Sequence, residues 1–135
     1  MEEYSKVWSY LEGIARNQLD AGAFTPETTK TIAQKIKAWR YSKGGLLAEE
    51  TTRDAAFALQ RALWNYDETE EAYKSIRRAR SILRAALRAD TGLSEDIEGQ
   101  TIFDATEKRQ KIREELKALQ SKLGIVSNAE AGQEL

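Results

Sequence analysis

Six cations and no acid fall between Lys74 and Arg88: Lys74, Arg77, Arg78, Arg80, Arg84 and Arg88. At about 100° per residue on a helix, Lys74, Arg77, Arg80, Arg84 and Arg88 occupy an arc of roughly 120°. Ala72, Ile76, Ala79, Leu83, Ala86 and Leu87 fill the opposite side. The chemistry open to such a face is electrostatic. Arg77, Arg84 and Arg88 stand nearly in line, roughly 10 and 6 Å apart along the axis at 1.5 Å per residue, which suits successive phosphates of a nucleic-acid backbone. Guanidinium groups also fork phosphate oxygens in pairs, which lysine does not. Two other readings stay open: a solvated or salt-bridged face, with Glu70 and Lys74 as an i,i+4 pair, and a surface that meets acids of a protein partner.

Lys30, Lys37 and Tyr41 share a side of a second helical segment, a basic surface carrying an aromatic, as stacking platforms do. Lys108, Arg109, Lys111 and Arg113 add charge near the C-terminus. The formal net charge of the whole chain is nevertheless −1. A free-standing nucleic-acid binder is more often basic overall, so the face fits a subunit of a larger assembly.

Nucleophilic, metal and acid–base templates find little here. The chain has no cysteine and no histidine, which excludes disulfides, thiolate chemistry and cysteine-ligated metal sites and removes the commonest general base. Glycine-rich phosphate loops, zinc spacings and EF-hand loops are absent. The acidic pairs Glu49/Glu50 and Glu70/Glu71 read as first-turn residues of helices, where carboxylates meet the positive end of the helix dipole. The expectation is a protein that is not an enzyme, with no catalytic residue, metal, cofactor or small-molecule substrate.

The elements that position these residues are helices. Strand-like alternation is missing, Pro26 is the one proline, and glycines punctuate apolar segments of helical period. The first helix is expected over about Tyr4 to Asp20, burying Val7, Leu11 and Ile14 with Trp8 and Ala15 alongside. Thr25-Pro26-Glu27 starts the second, with threonine as cap and proline in the first turn, and Gly44-Gly45 ends it near Lys43. A third spans about Leu46 to Asn65. A fourth starts near Asp67, whose carboxylate caps it with Glu70 completing a capping-box spacing, and runs to Ala89. Asp90 to Gln100 reads as an acidic connector, with a short helical turn at Ser94 to Ile97, and the last helix covers about Thr101 to Leu123, stopping at Gly124.

At 135 residues, 41% hydrophobic and 32% charged, the sequence has the size and balance of one soluble domain. The fold class is therefore all-α, a compact antiparallel bundle of about five helices over residues 1–124, with a flexible C-terminal tail over 125–135. No apolar run approaches a membrane span and the N-terminus lacks a signal core, so a cytoplasmic location and no membrane partner are expected.

Two apolar features are candidates for protein contact. Phe57 and Trp64 lie opposite Leu59, Leu63 and Tyr66 on the third helix, so that helix is either central or half of an interface. Ile112, Leu116, Leu119 and Leu123 form a seam at 4 and 3 spacing on the last. The three Trp-x-Tyr pairs, at Trp8, Trp39 and Trp64, have unequal spacings and flanks and read as core anchors rather than a repeat.

At the level of architecture, a small histidine-free bundle with one arginine face resembles the small helical subunits of CRISPR effector complexes, and also small helical phage packaging or adaptor proteins. The first resemblance implies a non-enzymatic subunit of a nucleoprotein assembly, contacting a DNA or RNA backbone non-specifically through Lys74, Arg77, Arg80, Arg84 and Arg88, with Lys37 and Tyr41 adding to it. The second implies a protein–protein adaptor or structural oligomer, with other subunits or a second copy meeting Phe57 and Trp64 or the Ile112 to Leu123 seam.

Overall fold

The computed structural model describes residues 2–17, 25–42, 45, 48–91 and 102–125. Five helices account for nearly all of these: α1 (Glu2–Asn17), α2 (Pro26–Arg40), α3 (Glu50–Trp64), α4 (Glu70–Thr91) and α5 (Ile102–Leu123). The described residues contain no strand, and the fold is all-α.

Helix boundaries follow local chemistry. Thr25 caps α2 as its sequence predicts: its hydroxyl oxygen accepts the Thr28 N–H at 3.2 Å, with Pro26 in the first turn and Glu27 beside it. The α4 cap differs from expectation. Thr69, not Asp67, receives the Ala72 N–H on its hydroxyl oxygen, at 3.2 Å. Asp67 instead accepts the Thr69 N–H and O–H, at 3.1 and 2.6 Å, and these bonds hold its carboxyl below the ordinary aspartate range. Glu68 has φ 68°, in the left-handed region, so the helix does not reach back past it.

At the far end of α5, the Gly124 N–H bonds to the Ser121 carbonyl and the Ile125 N–H to the Gln120 carbonyl, at 3.2 and 2.9 Å, with Gly124 at φ 78°. This is a Schellman stop, and its accompanying hydrophobic residue, Ile125, is buried. Ile125 thus belongs to the packed fold rather than to the tail that was expected to begin there. Residues 126–135 lie outside the described residues, as do 92–101 with the expected turn at Ser94 to Ile97. Asp90 and Thr91, expected in the connector, complete α4.

Side-chain contacts fix the directions of the helices. Lys30 of α2 meets Trp64 at the end of α3, whereas Arg40 meets Gln60 and Phe57 further back, so α2 and α3 run antiparallel. Glu71 pairs with Lys122 while Arg109 reaches the Ala89 carbonyl, which sets α4 against α5. Arg80 reaches the Leu11 carbonyl while Arg84 and Arg88 reach Trp8, which sets α4 against α1. Arg109 to Glu49 and Arg113 to Thr51 then join α5 to α3 running the same way.

The third helix is the centre. Every residue from Ala55 to Gln60 is buried, as are Ala62 and Leu63. The alanines at 55, 56, 58 and 62 let neighbouring helices approach closely, and Leu59 and Leu63 fill the space between them. Of the two choices left by the sequence, central helix or interface, Phe57 takes the first: it is 3% exposed, with the Arg40 guanidinium 4.7 Å from its ring centroid. The α5 seam is likewise turned inward. Ile112, Leu116 and Leu119 are buried in the chain's own core and Leu123, partly buried, packs at its edge, so these residues close the bundle.

Half-buried Asp54 is the acid most perturbed by this packing among the described residues. Burial, with Glu50 nearby, pushes its carboxyl up to about 6, against the opposing charges of Arg53 and Arg40. A carboxyl whose folded value lies above its unfolded value favours folding when protonated. That contribution is present below pH about 4 and is lost as pH rises through about 6. Asp54→Asn is therefore expected to stabilise relative to the parent by an amount that grows from pH 4 to 6 and then levels. A shift of two units converts to about 3 kcal/mol, and solvent access at the site reduces the expected plateau to about 1 kcal/mol. Urea unfolding of both proteins from pH 4 to 8 checks the sign and the window.

Candidate nucleic-acid interface

The arginine face of α4 is where the sequence placed it, and α1 lies against it. Ile76, Ala79, Leu83, Ala86 and Leu87 point into the core, which turns the cationic arc outward along the α1 flank. Four arginines there divide into one anchor and three that rest on aromatic rings.

Arg80 is the anchor. Its Nε donates to the Leu11 carbonyl at 2.9 Å, and burial together with the neighbouring Arg84 and Arg77 lowers its pKa from the ordinary guanidinium value. This side chain ties α1 to α4. Arg80→Met, which keeps the stem and removes the donor, is expected to cost about 1–2 kcal/mol and to speed amide exchange in α1 more than in α3. Equal exchange in the two helices would separate Arg80 from the docking of α1.

Arg77, Arg84 and Arg88 rest on aromatic rings. Arg84 and Arg88 lie 5.7 and 5.9 Å from the Trp8 ring centroid, and Arg77 lies 5.9 Å from that of Tyr73. A ring steadies a guanidinium without neutralising its charge. Among the described residues no carboxylate stands within 4 Å of Arg77 or Arg84. Lys74 differs: it lies 3.7 Å from Glu70, the i,i+4 pair read from the sequence.

Lys37 and Tyr41 do not join this surface. Lys35 of α2 approaches Tyr10 of α1, its Nζ 6.0 Å from the ring centroid. Lys37 is two residues on, about 200° around the helix, and lines a groove between α2 and α3 on the flank away from α1. Tyr41, 43% exposed, continues that flank beside Arg40. The arginine face and the Lys37 groove are therefore separate surfaces. Of the cations on α5, Arg109 and Arg113 serve as struts to α3, through Glu49 and Thr51.

Three acids of the pairs at helix starts form ion pairs. Glu49 meets Arg109, Glu70 meets Lys74, and Glu71 meets Lys122 at 2.9 Å, which holds the Glu71 carboxyl below the usual range. No group of three acidic side chains among the described residues is placed to hold a metal ion. No helix among them is long and apolar enough to cross a membrane.

Sequence reasoning missed two features. One is the use of Trp8 as the base on which Arg84 and Arg88 lie, a contact across more than seventy residues of sequence. The other is the burial of Arg40, whose Nη1 donates to Gln60 Oε1 at 2.8 Å between Phe57 and Tyr41. Neither contact leaves a mark in local pattern; both need the pairing of helices.

Compared with models of protein families, with curated proteins and with solved structures, the chain matches none, so neither architectural resemblance gains a relative from these comparisons.

Proposed function

We propose that this protein is a non-enzymatic subunit that holds a nucleic-acid phosphate backbone along the α1–α4 face, without reading its sequence. The observation that carries the proposal is the row Arg77, Arg84 and Arg88, seated on Tyr73 and Trp8 in a chain of net charge −1. Charge of one sign, concentrated on one face and supported by rings, is a means of attracting a polyanion in a chain whose charges nearly balance overall. The mechanism is displacement of counterions from phosphates by the three guanidinium groups, with Arg80 fixing the ridge that presents them.

The test is fluorescence anisotropy of labelled single- and double-stranded DNA and RNA at 50 and 200 mM salt. Three phosphate contacts predict that the fourfold rise in salt weakens binding about 40-fold for a duplex and about 20-fold for a single strand. Affinity should vary little between unrelated sequences of the same form. Binding indifferent to salt, or none at the lower concentration, would remove the reading.

A further inference from the structure

The groove between α2 and α3, on the flank away from α1, has a volume of about 450 Å³, within the roughly 300–1,000 Å³ range of small-ligand sites. Trp64 forms its aromatic wall. This side chain is 47% exposed, the most exposed large hydrophobic residue among those described, although nine of the fifteen residues of its helix are buried. A large ring left open at the end of a central helix is costly to solvate and supplies nothing to the core.

What surrounds the ring is charged and polar rather than apolar. Lys30 Nζ stands 5.3 Å from the Trp64 ring centroid, and Lys37 and Arg61 line the walls. Gln34 and Asn65 add exposed amide groups, and among the described residues no carboxylate lines the groove. Apart from Trp64 itself, Ala33 is the sole apolar side chain among the described residues of the lining. A peptide that docks by its apolar side chains finds no pocket here. A planar ring, amide donors and acceptors, and cations of one sign together match a nucleobase that carries a phosphate.

The geometry points to this groove as a binding site for a phosphorylated nucleobase. The base stacks on Trp64, its edge meets the amides of Gln34 and Asn65, and its phosphate meets Lys37 and Lys30. Lys30 exchanges its contact with the ring for one with the phosphate, a favourable exchange because a cation over an exposed ring is held weakly. The same chemistry is offered by a free nucleotide and by the phosphorylated end of a single strand. The site is separate from the arginine face and does not depend on it.

The test follows the three tryptophan indole N–H signals of the full chain by ¹H–¹⁵N NMR during titration with 5′-AMP, adenosine, inorganic phosphate and a 5′-phosphorylated pentanucleotide. The Trp64 signal, assigned by its loss in Trp64→Ala, is expected to shift with 5′-AMP, with affinity at least about tenfold tighter than for adenosine or phosphate alone. Lys37→Gln should weaken that binding by at least about threefold, whereas Lys35→Gln, on the opposite flank of α2, should leave it unchanged. A pentanucleotide that binds more tightly than 5′-AMP identifies a strand end as the source; equal affinity identifies the free nucleotide. If the Trp64 signal stays fixed at millimolar 5′-AMP and with the pentanucleotide, or if adenosine and phosphate each bind as well as 5′-AMP, the site is refuted.

Discussion

An Arg77/Arg84/Arg88→Ala variant is expected to bind nucleic acid at least about 100-fold more weakly than the parent at low salt, while keeping its helical content. Hydrogen bonds from a charged donor contribute about 1.5–3 kcal/mol each, so three lost together exceed the roughly 2.7 kcal/mol that a 100-fold change represents, even with imperfect additivity. The structural side of the substitution is milder. Arg84 and Arg88 give up their contacts with Trp8, worth about 0.5–1 kcal/mol each at an exposed site. α1 stays docked through Val7 and Leu11, both fully buried, and through the bond from Arg80 to the Leu11 carbonyl. Circular dichroism and a melting curve separate the two effects: a variant that binds weakly and melts within a few degrees of the parent supports the face as a binding surface. A folded variant with undiminished binding would place the interaction elsewhere.

Gly45→Ala is expected to cost about 3 kcal/mol. Gly45 sits in the corner between α2 and α3, its N–H 3.5 Å from the Ser42 hydroxyl oxygen and its carbonyl accepting from the Ala48 N–H at 3.3 Å. A Cβ at this position would lie 2.6 Å from the Arg40 carbonyl carbon and closer still to the carbonyl oxygens of Trp39 and Arg40. Those are backbone atoms, which no rotamer change can move aside. The last turn of α2 would have to shift, and with it Trp39 and Arg40, 3% and 8% exposed. Glycine is required here by close approach, in contrast to Gly124, whose φ of 78° requires it conformationally. Urea unfolding measures the loss; a cost under about 1 kcal/mol would show that the corner yields more easily than this geometry implies.

The helices and their stops were legible because they depend on neighbours in sequence. Thr25-Pro26 and Gly124 act through bonds spanning three to five residues, and the core face of α4 follows from a 3.6-residue period. The α4 start was misplaced by the same kind of reasoning, since Asp67 and Thr69 both suit a cap and the left-handed φ at Glu68 decides between them. The fates of Phe57, Trp64 and the α5 seam required the tertiary arrangement. A stripe of apolar residues says that something must cover it and not what; here Arg40 covers Phe57, and α3 and α4 meet the α5 seam. Helical period put Lys37 on a basic face, but only the position of α1 beside Lys35 shows that this face is not the one bearing the arginines.

The most direct measurement is the slope of log K against log salt for duplex binding, taken for the parent and for Arg77/Arg84/Arg88→Ala in the same titrations. If these guanidinium groups hold phosphates, the parent slope is steeper than that of the variant by about 2.7, the release of counterions from three contacts. Parallel lines for the two proteins would mean that the arginines of α4 touch no phosphate, and the proposed function would be wrong.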